Sequence, residues 1–178
     1  MSTQKHYCPN CGSKELGTED RHKYICQRCD FQFYNNVAAT ASVVLHCCGE
    51  FLFSRRGRDP SKGLLDFPGG FVDPGESLEV ALKREIEEEL NWKLNAAQYL
   101  FSFPNTYLYA EVLYSTADAF FLCDLASKPE IHPQDDVDDV VWLALDQIEP
   151  EMLAFDSMKR AVEALSIMDF SSIPNTLN

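Results

Sequence analysis

The sequence predicts an α+β fold preceded by a small module built on four cysteines. Three observations lead there. Two C-x2-C pairs lie close together near the start, at Cys8/Cys11 and Cys26/Cys29. From Val37 onward, β-rich runs recur between Gly/Pro/Asp-punctuated turns. Two stretches, at 77–90 and 155–168, instead carry apolar residues at helical spacing.

Taken in order, Cys8-Pro9-Asn10-Cys11 and Cys26-Gln27-Arg28-Cys29 form a C-x2-C-x14-C-x2-C array. Two such knuckles present four thiolates, the set that tetrahedral Zn²⁺ accepts. The rival readings are a pair of disulfides and a redox C-x-x-C. A cytoplasmic chain disfavours the first, and the duplicated knuckle disfavours the second. A segment this short has too little core to fold alone, so metal binding and folding should be coupled. Residues 1–34 resemble a zinc ribbon, with Tyr24, Ile25, Phe31, Phe33 and Tyr34 in short strands. Lys5, His6, Lys14, Arg21, His22, Lys23 and Arg28 make it modestly basic against Glu15, Glu19, Asp20 and Asp30, a balance that fits a solvated face.

The second domain is expected over 35–170, followed by a polar tail at 171–178. Val37–His46 and Glu50–Arg56, joined at Cys47-Cys48-Gly49, read as a hairpin. Cys47, Cys48 and Cys123 lack partner spacing and read as buried thiols. A loop carrying Arg58 and Lys62 follows Arg55 and Arg56.

Ser77 precedes a run in which Leu78, Leu82, Ile86 and Leu90 recur every four residues, so a helix is expected over Ser77–Leu90. Asn91, which tolerates the left-handed conformation, can end it. Glu85, Glu88 and Glu89 fall within about 100° of arc, and Glu89 projects among the leucines. Like charges at these spacings repel, and a carboxylate turned toward a core needs a partner. Arg84 offsets part of this, and a divalent cation held through oxygen ligands, Mg²⁺ or Mn²⁺, offsets it more completely. Taken alone, the E-I-E-E-E run reads better as a solvated face.

Downstream, strands are expected over Gln98–Phe103, Ala117–Leu125 and Asp138–Leu145, with the aromatic stretch 102–109 between the first two. Its aromatics, Phe103 and Tyr107 among them, are candidates to stack on a base or to fill the core. His132–Asp139 is an acidic loop before a strand. Phe155, Met158, Val162, Leu165 and Met168 form the last helical stripe, after a turn at Asp146–Glu149.

The spacing around the glutamates carries more. Gly70, Glu76, Arg84-Glu85-Ile86, Glu88-Glu89 and Trp92 resemble the G-x5-E-x7-R-E-U-x-E-E-x-G-U box of the Nudix hydrolases, where U is a bulky apolar residue. The single departure is Asn91 in place of Gly. The resemblance implies a Nudix αβα sandwich with a mixed sheet, and hydrolysis of a nucleoside diphosphate linked to another moiety. It further implies Mg²⁺ or Mn²⁺ held by Glu85, Glu88 and Glu89, Arg84 orienting them, and Gly69 or Gly70 bringing backbone close to the metal. Asp136, with Asp135 as the fallback, matches the position of a loop carboxylate that reaches the metals. Glu88, Glu89 or Asp136 would assist as base, and Glu76 would tie loop to helix. Arg55 and Arg56 are the candidates to contact the diphosphate.

A ribbon ahead of such a domain resembles the NADH pyrophosphatases, but F-S-F-P-N-T-Y stands where that family has S-Q-P-W-P-F-P-x-S, and its further N-terminal domain is missing. ADP-ribose-like and other nucleoside diphosphate derivatives are therefore expected alongside NADH-like ones. The alternative is a non-catalytic Nudix module that senses a nucleotide and signals through its ribbon. Homodimers are common in the family.

Composition sets outer bounds. With 46% apolar and 24% charged residues, disordered and collagen-like classes are excluded. The net charge of −13 argues against non-specific attachment to nucleic acid or anionic membrane. No signal peptide opens the chain and no apolar run approaches the roughly 18 residues of a span, so a cytoplasmic location is expected.

Overall fold

The computed structural model describes residues 7–18, 22–110 and 112–170. Lys5, His6, Glu19, Asp20, Arg21 and the tail at 171–178 lie outside them. Two compact units make up the chain, Met1–Val37 and Ala38–Asn178.

In the first unit, β1 (Leu16–Thr18), β2 (Lys23–Cys26) and β3 (Gln32–Tyr34) form an antiparallel sheet in that order. The two cysteine knuckles repeat one local design. Gly12 donates its N–H to the Cys8 carbonyl at 2.8 Å, and Asp30 does the same to Cys26 at 2.9 Å. Gly12 and Asp30 both take left-handed φ, 69° and 56°, which closes each turn. The ligand atoms of Cys8, Cys11, Cys26 and Cys29 consequently all lie within 4.8 Å of one another. Besides Cys8 and Cys26, the buried groups among the described residues of this unit are Tyr24 and Ser13. That is too little apolar surface to hold 37 residues together without the cysteines.

The second unit is built on a mixed sheet. Strand β4 (Ala38–Cys47) turns through Cys48-Gly49, both at positive φ, into β5 (Glu50–Arg56). Such a turn matches the twist of the strands it joins. The two strands pair only at His46–Phe51 and Cys47–Glu50, and then diverge. The wedge between them is filled by β6 (Leu65–Asp66), which pairs with β5, and β7 (Gly69–Phe71), which pairs with β4. Strand β10 (Val137–Leu143) lines the other edge of β5. Strand β9 (Val112–Asp124) runs parallel to β4 and antiparallel to β8 (Gln98–Tyr109), which gives the order β10-β5-β4-β9-β8.

Helix α1 (Leu78–Leu90) covers one face and α2 (Asp156–Ser166) the other. The period-2 pattern of β4 and β9 divides accordingly. Ala41, Val43, Leu45, Ala119, Phe121 and Cys123 join Leu82, Ile86 and Leu90 of α1, whereas Val44, Phe120 and Leu122 join Met158, Ala161 and Leu165 of α2. Burying each such leucine or isoleucine contributes about 1.5–3 kcal/mol, which holds both helices to the sheet. This is the αβα sandwich with a mixed sheet that the resemblance implies.

The aromatic stretch 102–109 departs from its expected place between strands. It belongs to β8, paired with β9 from Gln98–Leu122 to Tyr109–Val112. Pro104, which reads as a strand breaker, is tolerated because β8 is the edge of the sheet. The turn expected at Asp146–Glu149 is drawn out into two short 3₁₀ turns, Leu145–Gln147 and Pro150–Met152.

Candidate active site

The site lies where β4 and β5 part. Ser77 caps α1 by accepting the N–H of Val80, and Asn91 ends the helix at φ 48°. Leu82, Ile86 and Leu90 dock the helix on the sheet, which turns Glu85 and Glu89 toward the Gly69–Phe71 strap. The two strap glycines make room for different neighbours. Gly69, at φ 144°, lies so close to the Ala41 carbonyl that a Cβ would collide with it. A Cβ on Gly70 would stand 2.5 Å from the Glu85 carboxyl carbon.

Arg84 organises the acids. Its Nε and Nη2 donate to the two oxygens of Glu76, each at 2.9 Å, and Nη2 also reaches the Phe71 carbonyl at 3.0 Å. Nη1 is shared between Glu85 at 2.7 Å and Glu88 at 3.1 Å. Hydrogen bonds from Arg84 and from the Asp73 N–H hold the Glu76 carboxyl down to about 2. The Gly69 N–H donates to Glu89 Oε2 at 2.9 Å.

Electrostatic demand rises toward the buried end. Burial pushes the Glu89 carboxyl up to about 8 despite the Gly69 N–H, and Asp66, Glu85 and Asp136 push it the same way. Burial also raises Glu85 against the pull of Arg84, and raises Asp66 to about 6 against its pair with Arg56. Among the described residues, these carboxylates do not close into a compact ligand group of the kind the four thiols make. Mutual repulsion and the hold of Arg84 account for that. An oxygen-only, anion-rich set with one member held against a glycine strap fits a hard divalent cation.

The cleft over these groups has a volume of about 280 Å³ and also reaches Arg56, Arg58, Tyr107 and Asp135. Asp136 lines it and is ion-paired with Arg58. Arg55 and Phe103 do not line it. Arg55 donates to the Gly63 carbonyl at 2.6 Å, and Phe103 packs against Phe101 and Phe120 in the core. Each nitrogen of the Arg56 guanidinium has a partner, Nε the Pro60 carbonyl, Nη1 Asp66 Oδ2 and Nη2 the Tyr107 hydroxyl, with the Phe155 ring centre 4.9 Å from the guanidinium carbon.

Several lining residues went unread in the sequence: Asp66, Thr40, Asn105, Thr116, Asp118 and Ser157. A signal existed for Asp118, an acid at an inward position of the otherwise apolar run A-D-A-F-F.

Comparison with known proteins agrees with this architecture. A model of the NUDIX domain matches residues 36–165. The chain is 27% identical over 158 residues to the NAD-capped RNA hydrolase NudC of Haemophilus influenzae, covering 85% of this chain and 56% of that protein. It is 26% identical over 151 residues to NudC of Pseudomonas fluorescens, covering 83% and 51%. This chain therefore spans just over half the length of these relatives. The NUDIX hydrolase of Nitrosomonas europaea superposes with a TM-score of 0.64 at 22% identity, covering 96% of each chain. The MutT NUDIX hydrolase of Burkholderia pseudomallei gives 0.61 at 26% identity, over 72% of this chain and 97% of that one. The box on α1, the mixed sheet split around it and the match across most of the sequence are one pattern, and the chain belongs to the NUDIX domain family.

Proposed function

We propose that this chain hydrolyses the diphosphate linkage of a nucleoside diphosphate derivative, with Mg²⁺ or Mn²⁺ held by Glu85, Glu88 and Glu89 and backbone approach at Gly69. The observation that carries the reading is the convergence of these three glutamates, the glycine strap and Asp136 on one cleft, with Arg84 bonded to two of the glutamates and the Gly69 N–H to the third. Bound there, the cation supplies positive charge to the diphosphate oxygens and acidifies a water.

The protein's own groups do the rest. Arg84 fixes the carboxylates of Glu85 and Glu88, so ligand geometry is set before substrate arrives. Glu89 is fixed by the Gly69 N–H. Glu88 has a side chain 51% exposed and bonds Arg84 through Oε2, whereas Glu89 is half-buried and held by the Gly69 N–H, and Asp136, 26% exposed, is paired with Arg58. We therefore assign the attacking water's proton to a Glu88 oxygen. Arg58, 59% exposed at the cleft, takes the diphosphate-contacting part expected of Arg55 and Arg56. In the first unit, Cys8, Cys11, Cys26 and Cys29 hold Zn²⁺ in a structural, closed site.

The substrate class follows from the relatives' names and from the cleft. An NAD-type dinucleotide, free or at an RNA 5′ end, stands beside ADP-ribose. The test is release of mononucleotide from ADP-ribose, NADH, NAD-capped RNA, diadenosine polyphosphates, nucleotide sugars and nucleoside triphosphates, with Mg²⁺ or Mn²⁺ and with EDTA. Hydrolysis of one class, abolished by EDTA and by Glu88→Gln in folded protein, is the expected result. Silence across the panel from folded, metal-loaded protein overturns the reading.

A further inference from the structure

The α2 side of the cleft contains polar groups that the hydrolytic chemistry does not use. Thr40 on β4, and Thr116 and Asp118 on β9, share one sheet face, with Asn105 of β8 directly opposite Thr116. All four line the cleft, together with Tyr107 and Phe155. Asp118, only 7% exposed, accepts from the Thr40 hydroxyl at 2.9 Å and from the Ser157 hydroxyl at 2.6 Å. Thr116, 3% exposed, has a buried Oγ1 with no hydrogen-bond partner.

We infer that this end of the cleft is a ring-recognition subsite that selects an N–H₂ group, taking an exocyclic amine or ring carboxamide on Asp118 and Thr116. The inference rests on the reading of the cleft as a site for a nucleoside diphosphate derivative. A carboxylate offers only acceptors, with about four lone-pair sites, and the two hydroxyl donors orient it without filling them. Both hydroxyl protons are spent on Asp118, so what the pair adds toward the cleft is further acceptor character. A ring bearing N–H₂ completes this arrangement, whereas one bearing an oxo or carboxylate oxygen sets acceptor against acceptor. The orphan Thr116 hydroxyl takes a second contact of either polarity, so it adds binding while Asp118 sets the sign of the choice. Ligands that place such a group on a flat ring come from two sources, the 6-amino group of a purine and the carboxamide of a pyridine nucleotide.

The test is calorimetric binding to the full chain with two pairs of mononucleotides: adenosine against inosine monophosphate, and nicotinamide against nicotinic acid mononucleotide. One pair should show roughly tenfold or greater preference for the N–H₂ member, and that pair names the source. Asp118→Asn, which puts an N–H where a lone pair stood, should collapse the ratio to near unity. Thr116→Val should weaken both members of the preferred pair, and it carries the test if Asp118→Asn fails to fold. No binding, equal binding within both pairs, or a preference that Asp118→Asn leaves intact would overturn the inference. The readout does not depend on turnover. Selective binding without hydrolysis overturns only the proposed activity, and hydrolysis without selectivity overturns only the subsite.

Discussion

Arg84 and Glu76 face each other across the entrance to α1 through two parallel hydrogen bonds, Nε to Oε1 and Nη2 to Oε2, both 2.9 Å. The same guanidinium spends its remaining nitrogen on Glu85 and Glu88, so an anchor at the strap end sets ligand direction at the metal end. A lysine keeps the charge but cannot hold a bidentate partner and two more acceptors in fixed directions. Arg84→Lys is therefore expected to lower divalent-cation affinity and turnover by about 10–100-fold, as loss of an outer partner does at metal sites. Titration of Mn²⁺ binding beside steady-state rates checks this. Unchanged affinity would mean that Arg84 does not orient the ligands.

The pH dependence of the metal-free chain should run opposite to the usual carboxylate case. Burial raises Glu89 from 4.5 to about 8, so between those values the folded chain binds more protons than the unfolded chain. Stability then falls as pH rises through that window. With EDTA present, thermal midpoints measured at pH 5 and pH 8 should fall more for the native sequence than for Glu89→Gln. Divalent cation should remove most of the difference, because the ligand must be deprotonated to bind. Equal pH dependence in the two proteins would refute the assignment of the proton to Glu89.

Much of this site is legible in the sequence because it is local. Ser77, the leucine spacing, the glutamates and Asn91 sit within one helix and its caps, so spacing alone places them. What spacing cannot show is the divergence of β4 from β5, a tertiary event that brings Asp66, Thr40 and Asp118 from three strands to one cleft. The arginines illustrate the same limit. Arg55 and Arg56 end one strand, so their side chains leave on opposite faces, and only Arg56 reaches the cleft, where each of its nitrogens already has a protein partner. Phe103 is absorbed by the core for a similar reason, since it faces α2 from β8.

The four-cysteine unit should depend on its ion. Its knuckle turns are each closed by two backbone hydrogen bonds, Gly12 to Cys8 and Cys8 to Ser13 in one, Asp30 to Cys26 and Cys26 to Phe31 in the other, over very little buried apolar surface. Chelation of zinc, or Cys26→Ser, is expected to bring the Gly12 and Asp30 amides to near-unprotected hydrogen exchange while the β4 and β9 amides keep their protection. Mass-resolved exchange with parallel zinc analysis measures this. Persistent protection in zinc-free protein would show that the unit folds without metal.

Asn91 tests whether the one departure from the family box is structural or chemical. It sits at φ 48° and donates its N–H to the Glu87 carbonyl, so its backbone does the work of a left-handed cap. None of the site's hydrogen bonds from Arg84 or Gly69 involves it. Replacing it by Ala places a residue with no local compensation in the left-handed region and should cost about 1–2 kcal/mol of stability. Asn91→Gly relieves that conformation and should hold or raise the denaturation midpoint. Both variants should keep native turnover at temperatures where they are folded, because Glu88 and Glu89 lie within the helix and are held by Arg84 and the Gly69 N–H. A large loss of activity in folded Asn91→Gly would mean that the asparagine side chain has a part in the chemistry that its position does not reveal.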